Sequence, residues 1–179
     1  YELSEEFDTP VLLKMCTRIA HSQSLVNTGE RKEVRKPYEK NTDKYVMMPG
    51  QARRRHPFVE ERTRKLTEWA ETAPINRAEM GGTGMGIITS STSYQYVKEV
   101  FGDSVSVLKL GMVNPLPVRR ILDFAARVDR LVVVEELDPV IEDHCRKLGL
   151  QVEGKEVLPM VGEFSQNLIA EKLGGTVHN

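Results

Sequence analysis

The chain has 179 residues and a mass of 20.3 kDa, with 25 Lys+Arg against 26 Asp+Glu and 40% hydrophobic residues. That length suits one domain, or one and part of a second, and the composition excludes a wholly disordered chain or a highly charged tail. No apolar run approaches the roughly 18 residues of a membrane span, and the N-terminus lacks a signal-peptide core, so a cytoplasmic location without a membrane partner is expected.

In chain order, the first residue is Tyr1 rather than Met, and Glu2-Leu3-Ser4-Glu5-Glu6-Phe7 reads as the last turns of a helix. A piece of a longer chain is expected. Residues 10–16, Pro10-Val-Leu-Leu-Lys-Met-Cys16, predict a strand with Pro at its first position, where a missing donor is best tolerated. From Thr17 to about Gln51 periodicity disappears among Gly29, Pro37, Asn41, Pro49 and Gly50, a connection long enough to predict a domain boundary. Residues 57–73 return to helical spacing, with Val59, Leu66, Trp69, Ala70 and Ala73 on one stripe and Trp69 as a packing anchor.

After Gly81-Gly82-Thr83-Gly84 strand and helix alternate. Strands are predicted at 85–90, 105–110 and 131–134. Helices are predicted at 93–101, with Tyr94, Val97, Val100 and Phe101 inward, and beyond Pro117, with Val118, Ile121, Leu122, Ala125 and Val128 inward. Asp138 is the predicted N-cap of a third helix with Pro139 at its first position, and Gly149 its left-handed end. Residues 156–160 predict an edge strand limited by Pro159, and 163–173 a last helix with Phe164, Leu168, Ile169 and Leu173 inward. Strands some 20 to 25 residues apart with a helix between them imply right-handed crossovers in a parallel sheet. The fold class is therefore α/β, a three-layer α/β/α sandwich over about residues 80–175.

The chemistry-bearing residues are sparse. Gly81-Gly-Thr-Gly-Met-Gly86 lacks the GxGxxG spacing of a dinucleotide site and precedes a strand, so it predicts a flexible turn. Thr89-Ser-Ser-Thr-Ser93 lies between strand and helix, where amides and hydroxyls hold an anion or merely cap. Glu135 and Glu136 end a strand and point to opposite faces, which favours a domain-interface role over an acid/base pair. His21, His56, His144 and His178 have no ligand spacing, and Cys16 and Cys145 cannot supply the four thiolates of a cluster. Residues 31–65 carry 12 Lys+Arg and 5 Asp+Glu, yet without interleaved aromatics or a recognition motif they read as a solvated linker, with no nucleic-acid partner. Arg18 and His21, three residues apart beyond the first predicted strand, are either surface groups or a pair that converges on an anionic substrate.

A set of segments in order carries a resemblance: Asp8-Thr-Pro-Val-Leu-Leu13, Thr17-Arg18-Ile-Ala-His21-Ser22, Lys44-Tyr-Val-Met-Met-Pro49 with Ala52-Arg53-Arg54-Arg55-His56, Gly86-Ile-Ile-Thr89 with Ser93-Tyr94-Gln95-Tyr96-Val97-Lys98-Glu99, Leu108-Lys-Leu-Gly-Met-Val-Asn-Pro-Leu-Pro117, and Val133-Val-Glu-Glu-Leu-Asp-Pro139. Together they resemble the alpha subunit of the indolepyruvate ferredoxin oxidoreductases, a family of thiamine-diphosphate-dependent 2-oxoacid:ferredoxin oxidoreductases. The resemblance implies oxidative decarboxylation of an aryl 2-oxoacid to an acyl-CoA with reduction of ferredoxin, using thiamine diphosphate, Mg²⁺ and [4Fe–4S] clusters in the full enzyme. It implies the end of a pyrimidine-binding domain plus linker at 1–50, a connecting helix at 51–75 and a transketolase C-terminal-like domain at 76–179. Implied partners are the remainder of the alpha subunit, a beta subunit and ferredoxin. By the same resemblance the cofactor-activating Glu precedes Tyr1, and the GDG and paired-Asn motif for diphosphate and Mg²⁺ does not occur, so no cofactor is expected on this segment alone. Arg18 and His21 become substrate- or CoA-side candidates because the pyruvate enzymes carry Arg-x-x-His at the matching strand end. Ser91 departs from the Gly that relatives usually carry after Thr-Ser. The rival readings are the same segment of a pyruvate or 2-oxoglutarate oxidoreductase, and a freestanding α/β ligand- or protein-binding module.

Overall fold

The computed structural model describes residues 1–31, 33, 35 and 37–177. The chain divides into two compact units, Tyr1–Arg62 and Thr63–Asn179.

The first unit holds α1 (Glu2–Phe7), α2 (Thr17–Ala20), α3 (Thr42–Tyr45) and the start of α4 (Pro49–Thr72). None of its described residues is buried. Asp8 links α1 to α3 and α4. That residue ends α1 in a left-handed conformation (φ 51°) and accepts from Lys44 Nζ at 2.7 Å, with Arg55 Nη2 at 3.9 Å. Arg62 donates to its main-chain oxygen. The hydrogen bond from Lys44 is the largest effect holding the Asp8 carboxyl below its ordinary range. The strand predicted at 10–16 does not form. A strand exists through its neighbours' hydrogen bonds, and among the described residues nothing pairs with this segment. Leu12 and Leu13 stand 94% and 87% exposed. Helix α4 starts at Pro49 rather than near 57, because Pro49 fits a first helical position and the arginines after it favour helix. Pro57 is carried inside the helix.

The second unit is the sandwich. Its sheet has the order β1-β3-β2-β4, from β1 (Arg77–Glu79), β2 (Gly86–Ser90), β3 (Ser106–Leu110) and β4 (Leu131–Val134). Strands β2, β3 and β4 are parallel, with Ile88 opposite Leu108 and Val133. Strand β1 is absent from the sequence reading and runs antiparallel on β3, so the sheet is mixed rather than purely parallel. Side chains alternate between two cores. Ile87, Val107, Val132 and Val134 face Tyr94, Val97 and Val100 of α5 (Ser93–Phe101) and Ile169 and Leu173 of α8 (Gln166–Leu173). Ile88, Leu108, Leu110 and Val133 face α6 (Val118–Ala125) and α7 (Val140–Lys147). This makes the three layers, and a strand buried on both faces explains the continuous apolar run Leu131–Val134.

Several local expectations change. On α6 the buried partner of Ile121 is Phe124, while Leu122 is exposed. No strand forms at 156–160. Instead Glu153 bridges β4 as an isolated parallel rung, accepting from Val133 N at 2.8 Å and donating to Leu131 O at 3.0 Å. The chain then turns at Gly154, and Leu158 becomes a plug in the core instead of an edge. The glycines at 81 and 82 are not a flexible turn. A Cβ on Gly81 would collide with the Asp103 carbonyl oxygen and lie 2.6 Å from that of Val105, so glycine is there for close backbone approach. Asp138 does not cap α7, whose N-cap position is Pro139.

Candidate functional site

The carboxyl ends of β2, β3 and β4 gather the polar residues of the sandwich, on the side where open α/β sheets take ligands. Thr89 is buried and its hydroxyl donates to Val134 O at 2.8 Å. Ser93 is buried as well. Of the hydroxyls considered for an anion, two are thus turned into the fold, and Ser91 occupies a left-handed turn at φ 53°. That conformation is the one glycine adopts without cost, in keeping with the Gly expected from the resemblance.

Glu135 and Glu136 leave β4 toward opposite layers, as strand geometry requires. The Glu135 carboxylate takes the place of the Asp138 cap: Ile141 N donates to its two oxygens at 3.1 and 2.9 Å, and Glu142 N donates at 2.9 Å. An acidic group at a helix N-terminus also meets the positive end of the helix dipole. Burial pushes its carboxyl above the ordinary range despite those amides. Glu136 reaches the other layer, accepting from Phe164 N at 2.7 Å just before α8. Both acids therefore fasten β4 to its helices within the sandwich.

Lys155 closes the same end. Its ammonium donates to Glu135 O and lies 5.1 Å from the centre of the Phe164 ring, and burial is the main cause lowering its pKa. Glu142, nearly inaccessible, accepts from Lys155 N at 2.9 Å and pairs with Arg146 at 2.7 Å. At the other edge of the sheet, Glu71 near the end of α4 accepts from Arg119 N at 2.9 Å and Arg120 N at 2.8 Å, capping α6. Buried Asn76 donates to Ala70 O and accepts from Gly111 N and Met112 N. Sequence reasoning missed Glu71, Asn76, Glu142 and Lys155. Each bonds to backbone far away in the chain, and nothing in local spacing announces such a partner.

In the first unit the structure puts Arg18 and His21 on one turn, Arg18 within α2 and His21 as its C-cap, with His21 N donating to Thr17 O at 3.0 Å. A three-residue step keeps both on one side of the turn. Both are exposed, beside Ile19 and downstream of the exposed Val11, Leu12, Leu13 and Met15.

The metal donors are scattered. Among the described residues no group of three or more His, Cys, Asp or Glu is placed to hold an ion. His56 pairs with Glu60 at 3.4 Å, and His178 lies outside the described residues. Burial pushes the Cys145 thiol up to about 12, far from the thiolate a cluster needs. The two cysteines, Cys16 and Cys145, cannot supply the four thiolates of a [4Fe–4S] cluster. Among the described residues no helix is long and apolar enough to cross a membrane.

No family model matches the chain. Among solved structures it is similar to a 2-oxoglutarate:ferredoxin oxidoreductase from Magnetococcus marinus with 2-oxoglutarate, coenzyme A and succinyl-CoA bound, with a TM-score of 0.53 and 16% identity. That likeness covers 71% of this chain and 23% of the other. The likeness is one of fold, an α/β architecture consistent with a transketolase C-terminal-like domain.

Curated relatives narrow the class. Indolepyruvate oxidoreductase subunit IorA of Archaeoglobus fulgidus is 33% identical over 97% of this chain, that of Methanothermobacter marburgensis 33% over 98%, and that of Pyrococcus horikoshii 32% over 96%. The chain is similar to these IorA subunits over nearly its whole length and spans about 30% of the length of the relatives it matches.

Proposed function

We propose that the chain is the interdomain part of an indolepyruvate ferredoxin oxidoreductase that oxidatively decarboxylates aryl 2-oxoacids to acyl-CoA and passes the electrons to ferredoxin. Residues 1–50 end its pyrimidine-binding domain, 51–75 form a connecting helix, and 76–179 are the transketolase C-terminal-like domain. Thiamine diphosphate, Mg²⁺ and the clusters are held elsewhere in a cytoplasmic assembly with the remainder of the subunit and a beta subunit. Arg18 and His21 face the substrate or the CoA, where a guanidinium and an imidazole on one turn suit a carboxylate or phosphate.

The observation that carries this reading is the run of exposed apolar side chains from Val11 to Met15, which leads into the turn of Arg18 and His21. Exposed apolar surface of that kind marks an interaction site, and the greater length of the relatives supports a covering segment from the remainder of the subunit. The test is dye reduction by the complete oxidoreductase carrying Arg18→Gln or His21→Gln, with indolepyruvate and CoA varied separately. Either variant is expected to lower kcat/KM for one of the two at least about tenfold. Unchanged constants for both would remove the pair from the site, and turnover by this chain without other polypeptides would overturn the interdomain reading.

A further inference from the structure

We infer that the open edge of β1 is a docking site for an extended acidic segment of a partner polypeptide, which adds a strand to the sheet and pairs its carboxylates with Arg119 and Arg127. Strand β1 pairs with β3 alone and ends the sheet, so its outer row of amides and carbonyls has no strand partner among the described residues. An unpaired row of this kind is a template for another strand unless the fold covers it. Here the edge opens on a groove of about 460 Å³ between β1, the last turn of α4 and α6. Ala78 of β1 and Met80, the residue just beyond its end, line the groove with Phe124 as its apolar floor.

Charge identifies the occupant. The groove is lined by Arg119, Arg120 and Arg127 against Glu71 and Asp123. Glu71 directs both oxygens at the backbone N–H groups of α6, and Arg120 is tied to Ala73 O and Asn76 O. Arg127 has no side-chain partner among the described residues, and Arg119, 74% exposed, approaches Glu71 only at 4.0 Å. Two guanidiniums and the one carboxylate of Asp123 therefore stand available beside an open strand edge, a net positive groove in a stretch (residues 66–179) that carries 11 Lys+Arg against 16 Asp+Glu. An acidic strand meets complementary charge here, whereas a basic one meets repulsion.

The experiment uses the whole chain and a fluorescein-labelled peptide of alternating Glu and Thr, read by anisotropy at low salt and by hydrogen exchange of the amides at 77–80. Binding is expected together with slowed exchange confined to that strand. The Arg119→Glu/Arg127→Glu variant, which among the described residues gives up only the 4.0 Å approach of Arg119 to Glu71, is expected to bind at least about tenfold more weakly. The peptide methylated on alternate backbone nitrogens is expected not to bind. Equal binding of a Lys/Thr peptide, equal binding of the methylated peptide, or no change at 77–80 would overturn the proposal. So would protection of 77–80 that rises with protein concentration without peptide, since a second copy would then fill the edge.

Discussion

Gly154 sits where the chain leaves its rung on β4, and a methyl group there has no room. A Cβ would collide with Oε2 and Cδ of Glu142 and stand 2.9 Å from Oε1. The backbone of Gly154 is not in the left-handed region, so Gly154→Ala tests the collision alone. To admit the methyl, the Glu142 carboxylate must swing away from Lys155 N, losing a charge-assisted hydrogen bond worth roughly 1.5–3 kcal/mol when buried. It also loses Arg146, whose guanidinium is 48% exposed, so screening limits that pair to below about 1 kcal/mol. Reduced freedom of the unfolded chain returns about 0.5 kcal/mol. The expected net loss is about 1–3.5 kcal/mol, a fall in Tm of roughly 5–15 °C for a body of this size. Urea unfolding followed by circular dichroism measures it. The decisive comparison is with Glu142→Ala, which removes both the bond and the obstacle. The double variant is expected to match Glu142→Ala within about 0.5 kcal/mol, since the second methyl then meets space. Additive losses, or Gly154→Ala within about 0.5 kcal/mol of the parent, would refute the collision.

Two further outcomes follow from geometry and charge. Ser91→Gly is expected to stabilise the chain by about 0.5–1 kcal/mol in urea, because Ser91 holds φ 53° without a compensating side-chain bond; an unchanged or lower midpoint would contradict that. Glu153 pairs with Arg130 through two hydrogen bonds of 2.7 and 2.6 Å, which hold its carboxyl below the ordinary 4.5. On acidification the unfolded chain takes up that proton first, so the contribution is complete above pH 4.5 and is lost as pH falls through the lower folded value. Arg130→Gln removes the depression, so stability is expected to fall less steeply than in the parent below pH 4.5. Parallel acid limbs of stability against pH would refute the assignment.

The alternating body can be read from residue pattern alone. Strands β2, β3 and β4 and helices α5 and α7 are legible because a both-faces-apolar strand and a helical stripe are local patterns, readable without knowing the partner. The resemblance was legible too, through segments that keep their order along nearly the whole chain. Features that depend on a neighbour emerge only once the chain is folded. Arg77–Glu79 has no apolar alternation and becomes β1 because β3 offers an edge, whereas residues 10–16 have a strand's composition and no ladder. Glu135 rather than Asp138 caps α7, since a carboxylate arriving from the end of β4 reaches the free amides that the adjacent residue does not. Arg18 and His21 were singled out by spacing, and the structure adds their shared turn. The groove beside β1 could not be foreseen, because its arginines and its strand lie about forty residues apart and meet only through the folding of the sheet. Periodicity records which face of an element is buried, and a hydrogen-bond partner or an open edge is a property of two elements at once.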